Sequence, residues 1–420
     1  MRAALFNRAR LPLVALLTAN AVSMLGNVFS LIAIPWYVLE TTGSASRAGL
    51  TGFAGALPFI IAGVFGGAMV DRIGFRRMSV VSDLVSSLAV AAIPLLALTV
   101  GLTFWQLLAL VFVGGLLDTP GTTARMSLLP DLAGQAGMQL ERVNALEQLI
   151  QRGAFLLGAP LAGLVIAVAG VDTALWIDAA SFLVSAALIV LLVPTASTVQ
   201  AEAPVRSSLR DDMIAGLAFI RRDALMTCLV VQVSLMNFID AMVGLIIPVY
   251  AVEIYGSASA LGLMLAAHGA GAVVTTLLFA AVGHRLPRRG VYIASFVLAG
   301  LPLFALALTP VLAVALVALV VRGFGAGPLN PILMTISQER VPATLRGRVF
   351  GVTTSVAWLA IPVGRLLAGY LVEWVGLALS LGGIAVIYVL ATTSMYRLRA
   401  LRDMDRRTEP VMIQAGSAAI

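Results

Sequence analysis

Apolar stretches long enough to cross a bilayer alternate with short polar breaks along almost the whole chain. A perpendicular helix needs about 20 apolar residues to span the hydrocarbon core. Twelve stretches of about that length are predicted as helices, over residues 12–39, 46–70, 78–100, 104–126, 143–168, 172–193, 225–252, 258–283, 290–308, 311–335, 346–374 and 376–398. The pattern therefore predicts an all-α integral membrane protein with twelve transmembrane helices.

One long polar connection, which begins at Pro194, separates the first six spans from the last six. After it, Leu209, Met213, Leu217 and Ile220 recur at helical spacing beside charged residues, which predicts a short helix on the membrane interface. The predicted units are a six-helix bundle over 1–193, a cytoplasmic linker with the interfacial helix over 194–224, a second bundle over 225–398 and a cytoplasmic tail over 399–420.

The two sets of six spans carry related sequences. Residues 34–46 read IPWYVLETTGSAS and residues 247–259 read IPVYAVEIYGSAS, with eight of thirteen positions identical. Further pairs, at the same offset of 213 residues or at 206 late in each copy, are Asn27 with Asp240, Gly49 with Gly262, Arg76 with Arg289, and Gly163 with Gly369. We expect two parallel six-helix repeats related by an axis along the membrane normal, as in transporters that rock two halves about a midplane site.

Composition agrees with a membrane protein and gives it an orientation. Hydrophobic residues make up 60 % of the chain and charged residues 11 %, against about 25 % charged in an average soluble domain. The basic residues are all arginine, and 23 of the 27 fall in breaks on the side of the termini. By the positive-inside rule this predicts an uncleaved multi-pass protein of the inner (plasma) membrane with both termini cytoplasmic. It also argues against nucleic acid as a partner.

Several classes of chemistry are excluded by the sequence. A lone cysteine, Cys228, allows neither an intrachain disulfide nor a multi-cysteine metal site. His268 and His284 are too far apart to complete a metal site with it. No G-x-x-x-x-G-K-[ST] loop for a nucleotide is present. We therefore expect no enzyme, no cofactor, no metal and no ATP-driven pump.

The loop after the second span reads GGAMVDRIGFRRM and resembles the signature of the major facilitator superfamily, G-x-x-x-D-R-x-G-x-R-R. The matching residues are Gly67, Asp71, Arg72, Gly74, Arg76 and Arg77. The stretches ARMSLLPDLAGQAGMQLERVN and GLVIAVAGVDTALWIDAASFLVS are similar to those of drug:proton antiporters such as macrolide, siderophore and Tap-like multidrug exporters. The resemblance implies the major facilitator fold and proton-driven export of small molecules, and we expect a monomer.

Two positions depart from that family pattern. The fifth span usually contains G-P-x-x-G-G, whereas this chain reads GAPLAG, with Gly158, Pro160 and Gly163 as a helix-packing motif. Close relatives often carry Asp in the first span where this chain has Asn27.

The signature loop has a physical rationale as a gate. The carboxylate of Asp71 can bind the N-terminus of another helix, where unpaired N–H groups and the dipole favour negative charge. Arg76 and Arg77 can reach carboxylates or lipid phosphates. We predict a latch on the cytoplasmic gate; the alternative is a tight, positively charged inner loop.

Ionisable groups inside spans cost about 2.5–3.5 kcal/mol each on insertion scales, so each needs a partner, a wet cavity or a function. Asp240 and Arg322 both lie about 20 Å from the cytoplasmic ends of spans seven and ten. We predict that they face each other, that Asp240 stays ionised beside Arg322 and that it takes a proton when the two separate in an apolar cavity. The alternative is a static ion pair.

A second set of charges lies in spans four and five. Asp118 and Arg152 are about level with one another, and we expect them to pair, with Glu147 competing for Arg152 or Arg125. This set is either a structural network or a second proton or substrate site. Outside it, Asp178 is expected to be structural, and the Arg365 side chain is expected to reach toward Glu373.

Soft and aromatic side chains could line a substrate cavity for varied apolar molecules. The candidates are Met24, Asn27, Met236, Phe238, Tyr250 and Trp358. The sequence thus favours an exporter of small amphipathic compounds, drugs or related metabolites, in exchange for protons. An importer or facilitator of a small metabolite on the same fold is the alternative, and a non-transporting receptor or assembly factor is a third possibility.

Overall fold

The computed structural model describes residues 2–194, 209–342 and 345–405, without the side chains of residues 2–8, 63–68, 71 and 209–212. These residues form fifteen α-helices. In the first half they are α1 (Arg2–Thr42), α2 (Ala45–Ile73), α3 (Phe75–Thr99), α4 (Phe104–Gln135), α5 (Leu140–Ala169) and α6 (Val171–Leu192). The rest are α7 (Leu209–Arg222), α8 (Ala224–Tyr250), α9 (Ala258–Val282), α10 (Arg288–Gly300), α11 (Pro302–Leu308), α12 (Leu312–Ala326), α13 (Leu329–Arg340), α14 (Arg346–Val375) and α15 (Leu377–Arg397).

Twelve helical stretches within the described ranges are long and apolar enough to cross a membrane, which confirms the predicted number of spans. Two of these stretches are each divided into two helices. The ninth comprises α10 and α11, with Pro302 at the division, and the tenth comprises α12 and α13, with Pro328 at the division. Proline divides them because it has no N–H to donate and its ring clashes with the preceding turn.

The fourth span is longer than the sequence pattern indicated. Helix α4 continues to Gln135, with Pro120 and Pro130 inside it, whereas the predicted span ended at residue 126. Arg125, next to the last residue of the predicted span, therefore lies well inside the helix and not at its cytoplasmic end, and it is only 2 % exposed.

Each half of the chain packs as one bundle. In the first, α1 packs on α5 and α6, and α3 packs on α4 and α6; in the second, α8 packs on α14, α9 on α12, and α10 on α12 and α15. The helix predicted after the polar connection is α7, which packs on α14. Residues 195–208 of the predicted linker and 406–420 of the predicted tail lie outside the described residues.

Small residues join the two halves at the far side, which we define as the membrane side opposite the helix ends near the termini. A Cβ placed on Gly49 of α2 would lie 3.1 Å from the Cα of Gly369 on α14. A Cβ placed on Gly262 of α9 would lie 3.2 Å from the Cα of Gly163 on α5. The internal repeat pairs these four glycines crosswise, so the two contacts are related by the pseudo-two-fold axis.

A carboxylate reinforces this far-side contact. Glu373 near the end of α14 accepts hydrogen bonds from the backbone N–H of Ser46, at 2.9 Å, and from the hydroxyl of Ser44, at 3.2 Å. Ser44 is the N-cap residue of α2 and Ser46 lies in its first turn, where unpaired N–H groups favour a negative charge.

The ends near the termini are apart. A Cβ placed on Gly153 of α5, or on Gly347 or Gly351 of α14, would meet no atom within 4 Å. In the described part of the chain, α4 makes no substantial contact with α13. A cleft between the halves therefore opens toward the side that carries the termini.

Candidate functional site

Three side chains from three helices meet inside the second bundle. Arg322 of α12 forms an ion pair with Asp240 of α8, and the Tyr388 hydroxyl of α15 donates a hydrogen bond to the same Asp240 oxygen at 2.7 Å. Tyr388 is fully buried, and Arg322 is 6 % exposed. The helices hold the guanidinium and the phenol toward the bundle interior, where the carboxylate stabilises both.

Asp240 is less enclosed than its two partners. Its side chain is 40 % exposed, whereas that of Arg322 is 8 % exposed. The carboxylate therefore lies inside the bundle with part of its surface not covered by protein atoms. His268 of α9 lies beside this group, since its backbone carbonyl packs against Gly323, and its Nδ1 has no hydrogen-bond partner among the described residues.

The first bundle contains a different ion pair from the one predicted. Arg125 of α4 donates to Asp83 of α3 at 2.7 Å, and the Ser185 hydroxyl of α6 donates to the other Asp83 oxygen at 2.7 Å. Asp83 is 1 % exposed. The sequence interpretation missed Asp83, although an acid within a predicted span was itself the signal.

The predicted pair of Asp118 with Arg152 is wrong. Arg152 lies on the exposed face of α5, and a longer helix α4 supplies Arg125 as the buried cation instead. Asp118 lies within hydrogen-bonding reach of Asn27 and in the field of Arg125. Glu147, which is 3 % exposed, accepts hydrogen bonds from Asn20 and, at 3.4 Å, from Gln151.

Asp178 of α6 is satisfied by serine hydroxyls. Ser30 of α1 donates to one of its oxygens, and Ser181 lies 3.4 Å from the other. A Cβ on Gly26 would clash with this group, so α1 approaches α6 closely there. These contacts fit the structural role expected from the sequence.

A cavity of about 400 Å³ lies between the first bundle and α14. Its apolar wall comes from α1, α2, α3, α4 and α6. The lining residues used below are Asn27, Phe59, Val90, Leu110, Asp118 and Arg365.

Of the other predicted cavity residues, two belong to the packed core. Met236 is 7 % exposed and Tyr250 is 2 % exposed, and the Tyr250 hydroxyl donates to the Thr309 carbonyl at 3.0 Å. Both side chains belong to the main hydrophobic core cluster and lie outside the lining of this cavity, so their part in a substrate site stays a prediction. Met24 and Phe238 are half-buried outside the lining set. Trp358 is 45 % exposed and packs against Phe59, with ring centroids 5.9 Å apart, beside the cavity.

The sequence suggested that the Arg365 side chain reaches toward Glu373, but the structure shows no such contact. The Arg365 guanidinium donates to the Gly52 carbonyl at 3.4 Å and lines the cavity. The reason is that Glu373 is engaged by the first turn of α2, while Gly52 leaves space for the arginine side chain against α2.

The signature loop is placed at the turn between α2 and α3. Gly74 has φ +87°, a conformation that only glycine adopts easily, and it connects the two helices directly. Arg72 and Arg77 are exposed. Arg76 donates to the Val190 carbonyl at 2.6 Å, and its predicted contact with carboxylates or lipid phosphates stays a prediction. Gly67 lies in α2, and the side chain of Asp71 lies outside the described part of the structure, so its predicted contact stays a prediction.

The repeat reproduces the Arg76 contact in the second half. Arg289 donates to the Tyr396 carbonyl at 3.0 Å, just as Arg76 does to Val190. Both arginines therefore bind the last carbonyls of the final helix of their bundle, which the C-terminal end of a helix dipole favours. Over residues 2–194, 209–342 and 345–405, no three His, Cys, Asp or Glu side chains are grouped to hold a metal ion.

Comparisons with known proteins agree with this architecture. Residues 10–414 match the family described as "Transmembrane secretion effector". The chain is 32 % identical over 412 residues to the multidrug efflux pump Tap of Mycolicibacterium fortuitum, covering 96 % of this chain and 100 % of that one. It is 22 % identical over 407 residues to macrolide efflux protein A of Streptococcus pyogenes, covering 95 % and 99 %.

Among solved structures, the nucleoside transporter NupG has the same fold. The TM-score is 0.77 at 13 % sequence identity, over 92 % of this chain and 99 % of that one. The family match extends over nearly the whole chain, and the twelve spans in two repeats fit it. The chain therefore belongs to the transmembrane secretion effector family, whose members are transporters of the major facilitator superfamily.

Proposed function

We propose that the protein exports small amphipathic compounds, drugs or related metabolites, in exchange for protons and by alternating access. Its membership of a transporter family supports a small-molecule substrate, and relatives named for multidrug and macrolide efflux favour export. The arginine-rich helix ends favour a cytoplasmic position for both termini in the inner membrane. In that orientation the cleft faces the cytoplasm, from which an exporter loads its substrate.

The observation that carries the proton-coupling proposal is the group of Asp240, Arg322 and Tyr388. A static ion pair between two helices would be expected to exclude water from both partners, because an exposed pair contributes little to stability. Here the arginine and tyrosine are enclosed, and the carboxylate is accessible. Asp240 also occupies the repeat position of Asn27, so only the second half carries a titratable group there.

In the proposed cycle, Asp240 alternates between two states. Ionised, it holds α8 to α12 and α15 through Arg322 and Tyr388. Protonated, it no longer compensates the charge of Arg322, and a buried uncompensated guanidinium is costly. The helices then favour an arrangement in which Arg322 finds another partner, and this couples proton binding to the movement of the halves. One proton that moves down 100 mV supplies about 2.3 kcal/mol, and a pH gradient adds to it.

The proposal is tested with the full-length protein in proteoliposomes under an imposed pH gradient. Ethidium serves as the amphipathic probe. For Asp240→Asn, we expect gradient-driven transport to fall at least tenfold while exchange of labelled for unlabelled probe, which needs no net proton movement, persists. Asp131→Asn, at an exposed carboxylate near the end of α4, is the matched control and should transport normally.

Either of two results would reject proton coupling through Asp240. One is gradient-driven transport by Asp240→Asn at the wild-type rate, and the other is equal loss of driven transport and exchange. Direction is tested separately in intact cells that carry the protein. Export predicts that a protonophore raises probe accumulation, whereas the importer alternative predicts that it lowers accumulation.

A further inference from the structure

We propose that the 400 Å³ cavity selects dipolar substrates, with a cationic group bound at Asp118 and an anionic or strongly hydrogen-bond-accepting group bound at Arg365. The proposal rests on the proposed function in taking this cavity as a substrate site. It names the class of compound, amphipathic molecules with opposite polarity at their two ends, and it assigns the selection to two residues on opposite halves of the protein.

Asp118 is poised to accept a cation. One of its oxygens, Oδ1, is buried and has no hydrogen-bond partner among the described residues. Leaving a carboxylate oxygen buried and unpaired is costly, more so than for a neutral acceptor. Asn27 is a hydrogen-bonding neighbour of Asp118, and both residues line the cavity. An ammonium group of a bound molecule would satisfy the free oxygen.

The surroundings of Asp118 carry an excess of negative charge. Arg125 lies in the field of Asp83, Asp118 and Glu147, and Asp178 lies close to Asp118. Three carboxyl groups thus share one guanidinium, which is already paired with Asp83 at 2.7 Å. Asp178 also lines the cavity, but serine hydroxyls contact both of its oxygens. Among the described residues Asp118 Oδ1 has no such donor, so it is the oxygen that a cation in the cavity would pair with.

Arg365 presents the opposite polarity on the other side. Its guanidinium lines the cavity and donates to the neutral carbonyl of Gly52 at 3.4 Å. Among the described residues no carboxylate lies within ion-pairing distance of it. A planar guanidinium with free donors recognises carboxylates and other oxygen acceptors.

The offset along the helix axes between Asp118 and Gly52, the residue that Arg365 contacts, suits a small drug-like molecule. Helices α2 and α4 run in the same direction and touch where a Cβ on Gly115 would lie 3.4 Å from the Gly55 carbonyl. Gly52, which Arg365 contacts, is one turn from Gly55 toward the far side, and Asp118 is one turn from Gly115 the other way. The six residues correspond to about 9 Å along the helix axes. The wall between them is apolar, with Phe59, Val90 and Leu110.

Because the charges lie on different halves, an occupant that reaches both would bridge the first bundle and α14. Selection by Arg365 would then depend on the closed far side, where α14 meets α2. A purely cationic or purely apolar molecule would use only one half of the site.

Three related probes test the proposal with purified full-length protein in nanodiscs. The first is a biphenyl with an aminomethyl group at one end and a carboxylate at the other. Its methyl ester lacks the anion, and its N-acetyl derivative lacks the cation. We expect wild-type protein to bind the dipolar parent at least tenfold more tightly than either derivative, as measured by isothermal titration calorimetry.

The variants assign each end of the probe. Arg365→Gln should lower the affinity for the dipolar parent about tenfold and leave the affinity for the methyl ester unchanged. Asp118→Asn should also lower the affinity for the parent about tenfold, and it should leave the affinity for the N-acetyl derivative unchanged. Arg365→Lys keeps the charge and should retain part of the preference, which guards against loss of folding as an explanation. Arg397→Gln, at an exposed arginine that ends α15, is the control and should bind like wild type.

Equal binding of the three probes by wild-type protein would overturn the proposal. An equal loss of affinity for all three probes in Arg365→Gln would also overturn it, provided that the variant has the elution volume and the unfolding transition of wild-type protein. The outcome is separable from proton-driven export, since binding needs no gradient. Asp240→Asn should keep the probe preference even where it loses driven transport.

Discussion

The guanidinium of Arg125 and the carboxylate of Asp83 are each almost fully removed from solvent, and each compensates the other. Their side chains are 3 % and 1 % exposed, and the ion pair measures 2.7 Å. Ser185 completes the shell of Asp83. Such a pair contributes little net stability relative to apolar residues, but removal of one partner leaves a buried charge unpaired.

We therefore expect Arg125→Gln to destabilise the protein by about 3–5 kcal/mol. The measurement is the free energy of unfolding in mixed micelles, followed by tryptophan fluorescence. Arg152→Gln is the matched control, because Arg152 is exposed on α5, and it should change stability little. Adding Asp83→Asn to Arg125→Gln should recover part of the loss, since the unpaired carboxylate is then neutral.

If Arg152→Gln lowered the free energy of unfolding more than Arg125→Gln did, the result would favour the Asp118–Arg152 pair that the sequence suggested. An Asp83→Asn exchange that made Arg125→Gln worse would show that the two residues do not compensate each other.

The depth of a residue in the membrane, counted along its helix, was sufficient to predict the contact between Asp240 and Arg322. It was not sufficient for the contacts of Tyr388 and Arg365. Asp240 and Arg322 were placed level with one another from the rise per residue alone, and the structure joins them in an ion pair. Tyr388 could not be found in this way, because a tyrosine in an apolar span carries no sign of whether its hydroxyl faces lipid or a carboxylate. Arg365 and Glu373 are two turns apart on α14, but contacts with α2 set their directions.

At the scale of elements, the helix ends show how the fold uses its few polar residues. Arg76 and Arg289 donate to carbonyls near the ends of α6 and α15, and Glu373 accepts from the Ser46 N–H and the Ser44 hydroxyl at the start of α2. Cations at C-terminal ends and an anion at an N-terminal end each follow the sign of the helix dipole. The sequence repeat predicted the equivalence of the two arginines, but not their carbonyl partners, which lie more than 100 residues away in the chain.

Glu373 is expected to hold the far side closed. In Glu373→Gln, the N–H groups of α2 lose a charged acceptor, so the ratio of far-side-open to far-side-closed protein should rise about two- to fivefold, in line with ~0.3–1 kcal/mol for a charge at a helix terminus. Spin labels at Trp105→Cys and Val311→Cys, in a Cys228→Ser background, measure the opening by electron–electron double resonance. Both positions are exposed at far-side helix starts.

Glu253→Gln removes an exposed carboxylate from the same membrane side and should leave the distance distribution unchanged. A Glu373→Gln distribution identical to that of wild type would show that the glycine contacts alone close this end. The same charge change at both positions separates a local helix-terminus effect from a general change in surface charge.

For the molecule as a whole, the repeat in the sequence was sufficient to predict two six-helix bundles, because apolar length counts the spans and the offset pairs them. It could not predict which end of the cleft is closed. That depends on which set of inter-bundle contacts has the lower free energy, and the same glycines would be present in either state. The length of α4 was also missed, since the polar residues after Arg125 resemble a loop unless the buried partners Asp83 and Ser185 are known.

The far side can close because glycines without side chains meet at two contacts, Gly49 with Gly369 and Gly163 with Gly262. A large side chain at either contact is therefore expected to stop the transport cycle. In Gly163→Leu, the new side chain would meet the backbone of α9 around Ala258 and Gly262. The halves could then no longer meet at that end, so we expect transport of ethidium in proteoliposomes to fall at least tenfold while the protein still folds. The spin-label distance between far-side positions should increase at the same time.

Gly383→Leu, on the exposed face of α15, is the control. A Cβ there would meet nothing within 4 Å, and leucine favours helix by about 1 kcal/mol over glycine, so this variant should fold at least as well as wild type and transport normally. Gly369→Leu, at the repeat position of Gly163, should reproduce the Gly163→Leu defect because its Cβ would meet Gly49 and its neighbours on α2. If Gly163→Leu and Gly369→Leu both transported at the wild-type rate, far-side closure would not be a step of the cycle. If only one of them did, the two contacts would be unequal, and the two-fold arrangement would describe the ancestry of the chain but not its mechanism.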